Sequence, residues 1–220
     1  GHHTGDSILE ELNIGMVSQI ALDYMHMVCL GVTKRLLSLW VKGTRDVKLD
    51  DKTRDTVSEY LIKYKAHIPA EFSRLPRALK DYMNWKATEF RLFLLYLGPI
   101  VMQPAIQNAN YINFIELSLG IRILCDPETC IEKNDVAKKL LIEFVNEYPK
   151  LYGAGRLTYN THNLIHIADD VLAFKCSLDG FSCFPFENYF RSIQGKLQNS
   201  PKPLQQLVNR LAEEKLMEAT

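Results

Sequence analysis

The chain has 220 residues, 47% of them apolar, with 26 basic and 26 acidic side chains and a formal net charge of zero. That composition excludes a disordered chain, and it leaves no global electrostatic footprint for nucleic acid, so DNA contacts must come from local patches. The five cysteines form no C-x-x-C pair, which excludes a cysteine zinc knuckle and argues for reduced thiols in a nuclear or cytoplasmic protein.

The opening Gly1-His2-His3-Thr4-Gly5 reads as a tag remnant or a cut point rather than a secretory signal. Gly15 to Leu22 alternates weakly and predicts a short strand. Apolar residues at three- and four-residue spacing then predict one helix from about Tyr24 to Lys42, closed by Gly43. A second helix is expected over about Asp50 to Ala66, with acids at its start and bases at its end, as the helix dipole favours. Pro69 and Pro76 mark a loop. A strongly apolar helix follows from about Lys86 to Met102, with a break or kink at Gly98-Pro99. Further helices are expected over about Ile112 to Leu124, Asp135 to Leu151, Thr161 to Ala173, Pro185 to Lys196 and Lys202 to Lys215. The fold class is mainly α, with at most one or two short strands. Gly153 to Tyr159 is the best candidate for an internal boundary. The longest apolar run, Phe93 to Met102, is far short of the roughly 20 residues of a membrane span, so no membrane partner is expected.

Four constellations carry chemical potential. In Asp23-Tyr24-Met25-His26 an acid and an imidazole three residues apart share one face of a helical turn. The pair suits imidazole orientation, metal binding or phosphate contact, or simply an N-cap ahead of a half-buried histidine. His162 and His166 stand at i and i+4, with Asp169 and Asp170 beyond; Asn163 occupies the place of the zincin glutamate and excludes that site. Glu187 lies within Phe184-Pro185-Phe186-Glu187-Asn188-Tyr189-Phe190, as either a satisfied core acid or a functional one. Finally, Lys63 to Arg91 carries seven bases against three acids, and Asn188 to Ala212 carries four bases and no acid. Arg74, Arg77, Lys86, Arg91, Arg191 and Lys196 are the candidate phosphate contacts, unless these are ordinary solvated faces.

Several blocks together resemble a known family. Asp23-Tyr24-Met25-His26-Met27-Val28-Cys29-Leu30-Gly31-Val32 resembles the D-x-x-H block of CACTA-type (EnSpm-like) DDE transposases, to which the C-x-x-H block of the hAT transposases is related. Trp85 to Arg91 and Leu95 to Pro99 resemble the helical insertion that follows it. Tyr159 to His166 and Phe184 to Tyr189 resemble the return to the catalytic core, and Pro203-Leu204-Gln205-Gln206 closes the similarity, which runs from about Asp6 to Glu214. The resemblance implies a remnant of an RNase H-like core at residues 1–22, a helical insertion domain at 23–183, and a C-terminal catalytic-helix region at 184–220.

The resemblance also implies a chemistry. DDE enzymes cut and join DNA with two divalent metals, Mg2+ or Mn2+, held by three carboxylates. Glu187 matches the final glutamate and metal ligand, and Asp23 and His26 match the supporting block. The two upstream catalytic aspartates have no counterpart here, so no metal is expected in this chain alone and the chain is expected to be inactive by itself. The implied partner is DNA in the parent protein, with a homo-oligomer or a protein partner as further expectations. The alternative is a domesticated, non-catalytic domain that binds protein or DNA. An unrelated metal hydrolase using His162, His166 and Asp169 is a third reading.

Overall fold

The computed structural model describes residues 8–15, 19–197 and 202–218. It is mainly helical, with no strand among the described residues. The chain divides into two compact units, Gly1–Phe181 and Ser182–Thr220. The Gly153 to Tyr159 stretch lies inside the first unit rather than at a boundary. The expected strand over Gly15 to Leu22 falls partly on residues 16–18, outside the described ones; Gln19 to Leu22 are not strand.

The first unit is built around a helical hairpin. α5 (Asn108–Cys125) and α6 (Asn134–Tyr152) run antiparallel. Their shared face buries Phe114, Leu117, Ile121, Leu141 and Phe144. Gly120 lets the pair approach closely: a Cβ there would stand 3.0 Å from Leu141 Cδ2. Polar side chains on this hairpin donate to buried backbone carbonyls of α6 and of neighbouring segments. Asn113 Nδ2 donates to Phe144 O at 3.0 Å, Ser118 Oγ to Leu94 O at 2.7 Å, and Asn134 Nδ2 to Ala168 O at 3.0 Å. Each such bond contributes on the order of 1 kcal/mol, and leaving the carbonyl unmet would cost more.

Two stretches differ from the α-helix the spacing predicts. Met25–Thr33 is a π-helix that continues into α1 (Lys34–Lys42), and Phe93–Leu97 is a π-helix between α3 (Ala87–Leu92) and α4 (Gly98–Val101). The second explains how the chain passes Gly98-Pro99 without a break. The Gly98 N–H reaches Phe93 O, one residue further back than in an α-helix, and the widened ladder absorbs the missing donor of Pro99 at the start of α4. Gly98 is required there, because a Cβ would lie 2.6 Å from Phe93 O and 2.7 Å from Phe114 Cζ. Around it, Trp85, Phe90, Phe93, Phe114 and Trp40 form a chain of tilted and edge-on rings at centroid separations of 5.3 to 6.0 Å.

α2 (Asp51–Lys63) begins where the acids suggest. Asp50 caps it, accepting from Thr53 N at 2.8 Å and Thr53 Oγ1 at 2.9 Å. α6 ends at Gly153, whose φ of +96° an L side chain rarely adopts. The helix expected over Thr161 to Ala173 is two helices. α7 (Tyr159–His162) and α8 (Ile167–Phe174) are separated by a 3-10 turn, Asn163–Ile165. The second unit holds α9 (Phe184–Lys196) and α10 (Pro203–Glu218), joined by an ion pair between Lys196 and Glu214.

Candidate functional site

The first unit carries a cleft of about 640 Å³, within the size range of small-molecule sites. One wall is the segment Ile20–Asp23 with His26 and Met27. The other is formed by Tyr159, Asn160, Asn163, His166, Asp169 and Asp170. Two constellations more than 130 residues apart in the chain therefore share one concavity.

Asp23 organises the first wall. Its carboxylate accepts from Met25 N at 3.2 Å and His26 N at 2.9 Å, so it caps the first turn of the π segment. It also pairs with His26 Nδ1. An ionised carboxylate only accepts, so Nδ1 is the donor in this pair. Asp23 thus both caps the turn and orients the imidazole, and the histidine is exposed rather than half-buried.

The second wall begins at Thr158, whose Oγ1 accepts from Thr161 N at 3.3 Å and caps α7. Asn163 is buried and donates to Tyr159 O at 3.1 Å, which fixes its amide across one turn. Gly31 of the π segment brings the walls together. A Cβ on it would fall 2.6 Å from Asn160 Nδ2, so glycine leaves room for the asparagine in this position. Asp170 closes the join: its Oδ2 accepts from the backbone N–H of Leu22 at 2.7 Å. Burial raises the Asp170 carboxyl above the ordinary aspartate value, and the Leu22 bond partly opposes that rise.

His162 and His166 do not face a common ion. Their rings meet edge to face at 5.8 Å, and with Asp169 they do not converge to ligand distance as a set. Asp169 is instead paired with Lys138 Nζ at 2.6 Å. The 3-10 turn between the histidines removes the α-helical i, i+4 alignment on which that reading depended.

The remaining sequence candidates are distributed over both units. Glu187 is exposed in the first turn of α9, in the second unit, so it is not a core acid. Arg77 is turned inward onto Glu89, with Nε to Oε1 at 2.6 Å and Nη2 to Oε2 at 2.8 Å, and Nη2 also reaches Asn84 O. Glu89 is only 4% exposed and accepts a further bond from Lys86 N at 2.8 Å, so the pair is a structural clamp over the loop. Arg91 pairs with Asp179 at 2.6 Å, and Lys196 with Glu214. Arg74, Lys86 and Arg191 are exposed and have no carboxylate partner among the described residues. Sequence reasoning gave no role to Asn160 or Gly31 beyond membership of a motif, and it missed the Arg77–Glu89 clamp. The signal for the clamp was an acid, Glu89, at the head of the apolar stretch Phe90 to Leu97.

No family model matches the chain, and neither a curated protein nor a solved structure matches it. No described helix is long and apolar enough to cross a membrane.

Proposed function

We infer that this chain is a transposase-derived domain: the helical insertion of a DDE cut-and-paste transposase, with the final helix of its RNase H-like core. One observation carries the reading. A domain inserted into a core must leave it and rejoin it at nearby points. The D-x-x-H block, where the insertion would begin, and the Tyr159 to His166 block, where the chain would return, line the same cleft, and the Leu22–Asp170 bond ties the two ends. In the parent enzyme Asp23 and His26 support the site, and Glu187 supplies a metal ligand.

A two-metal centre needs three carboxylates. Glu187 is the only acid of α9, and each acid of the cleft has at least one oxygen already taken, by Leu22, Lys138 or the D-x-x-H turn. The described residues do not fit two metals, so no cleavage step is assigned to this chain.

DNA is the partner on this reading, met by the exposed Arg74, Lys86 and Arg191. The test is fluorescence anisotropy with a duplex oligonucleotide across a salt series. Binding is expected to weaken with salt, and the Arg74→Ala/Lys86→Ala/Arg191→Ala variant should lower the slope of log K against log salt by about 0.9 for each phosphate it no longer neutralises. Absence of salt-dependent binding at about 50 mM salt overturns the DNA reading. The second reading, a non-catalytic domesticated domain that binds protein, is favoured by Phe186, Tyr189 and Phe190, which stand exposed on α9.

A further inference from the structure

The cleft between the D-x-x-H turn and α7–α8 has a chemistry that the transposase reading does not use. Three carboxylates line it (Asp23, Asp169 and Asp170) with two histidines, His26 and His166, and no lysine or arginine. The permanent charges of the lining are all negative, which favours a positive group over phosphate. An acidic lining alone would decide little, since Asp169 is paired with Lys138 and Asp23 with its own turn.

Asp170 is the deciding residue. It is only 8% exposed, and one of its oxygens accepts from Leu22 N. The other oxygen has no hydrogen-bond partner among the described residues, and it is not sealed in the core. A carboxylate this deep with an open acceptor beside a cleft is poised to receive a donor from whatever enters. Acceptors of complementary reach surround it. Asn163 spends its NH2 on Tyr159 O and so leaves its carbonyl as the available end. Asn160 has no side-chain partner among the described residues. Tyr159, 76% exposed, presents a ring at the rim, where a cation gains from the π face. Ile20, Leu22 and Met27 supply an apolar surface alongside.

We propose that this cleft binds an organic cation, an alkylammonium or guanidinium group on an apolar stem, with the head on Asp170 and the Asn163 carbonyl and the stem against Leu22 and Met27. The same group arrives either on a free small amine or as a Lys or Arg side chain of a partner peptide. The site lies in the cleft on which the transposase reading also rests, but it uses none of the DNA-facing bases.

The test uses the full chain and three small probes: butylammonium, butylguanidinium and the neutral isostere pentanol. Binding is followed by two-dimensional NMR of backbone amides and histidine ring protons. The two cations should give saturable shifts at Leu22, Asn163 and His166, and pentanol should give none. Asp170→Asn keeps an acceptor for Leu22 N–H, so its melting temperature should not fall below that of wild type while cation affinity falls at least about tenfold, the drop expected for a charge-assisted bond. Tyr159→Ala, at an exposed position, should weaken binding about two- to fivefold with no change in the fold. A short peptide with a single arginine separates the sources. If it binds more tightly than butylguanidinium, the cation belongs to a partner chain; if it binds more weakly, to a small amine. Equal shifts with pentanol, unchanged affinity in Asp170→Asn, or no saturable shift with either cation overturns the proposal.

Discussion

Leu22 and Asp170 are 148 residues apart and share one hydrogen bond, backbone N–H to Oδ2 at 2.7 Å. It is the clasp between the chain entering the helical unit and the last helix before the second unit. Replacing Asp170 by Ala removes the acceptor from a part-buried N–H and should lower stability by about 1 to 3 kcal/mol. Asp170→Asn keeps an acceptor and should match wild type at acid pH, where the carboxyl is protonated. Urea unfolding of the two variants checks the contrast, and equal losses would show that the charge, not the acceptor, matters.

The same residue gives a pH dependence with a definite sign. Burial raises the Asp170 carboxyl above its ordinary value. In the interval between the unfolded and folded values the folded state holds the proton more tightly. Its contribution to stability is therefore full below about pH 4 and is lost as pH rises through the raised value. Wild type should lose stability relative to Asp170→Asn across that rise. Parallel stability curves for the two proteins from acid to neutral pH would contradict this.

Arg77 and Glu89 predict a larger effect. Arg77→Ala leaves a buried carboxylate with only the Lys86 N–H for support and should destabilise by about 3 kcal/mol or more. Adding Glu89→Gln should recover part of the loss, because the uncompensated charge disappears. A double-mutant cycle in denaturant reads the coupling. In DNA binding, Arg77→Ala should change affinity little once folded protein is compared with folded protein.

Gly98 and Gly31 separate two kinds of close approach. At Gly98 a Cβ meets the Phe93 carbonyl and the end of the Phe114 ring, both held in the core. Gly98→Ala should cost about 2 kcal/mol by overpacking. At Gly31 the nearest atom is the amide end of Asn160, which can swing away. Gly31→Ala should cost less and should instead displace Asn160, visible as an NMR shift confined to the cleft.

The thiols offer a simple check of the core. Burial pushes Cys125 up to about 12 and Cys29 well above the usual thiol range, and it raises Cys130 as well. These three should resist a thiol reagent at about pH 8 until the protein unfolds. Cys176 and Cys183, both half-buried, should react first.

The helices were largely legible in the chain because their apolar stripes repeat at three and four residues and their caps are conventional, as at Asp50 and Gly153. The π segments were not. Met25–Thr33 and Phe93–Leu97 are apolar on nearly every side, so there is no stripe whose phase could betray a wider turn. The break at Asn163–Ile165 was missed because the local pattern stays helical while the turn tightens. With it went the alignment of His162 and His166. The candidate cleft was half legible: Asp23, His26, His166, Asp169 and Asp170 were all singled out, but in two separate constellations. What joins them is a backbone donor, Leu22 N–H, and an absent side chain at Gly31, neither of which has a signature in residue type alone.

The π segment Met25–Thr33 makes the cleft depend on counting as well as on composition. Its ladder closes one residue later than an α-helix does, so it holds the D-x-x-H turn at a fixed rotation relative to α1. Deleting a single residue between Val28 and Val32 would let the segment rewind to ordinary pitch. Asp23 and His26 would then swing away from Asn160 and Asp170, and the cleft would open with every one of its lining side chains still in place.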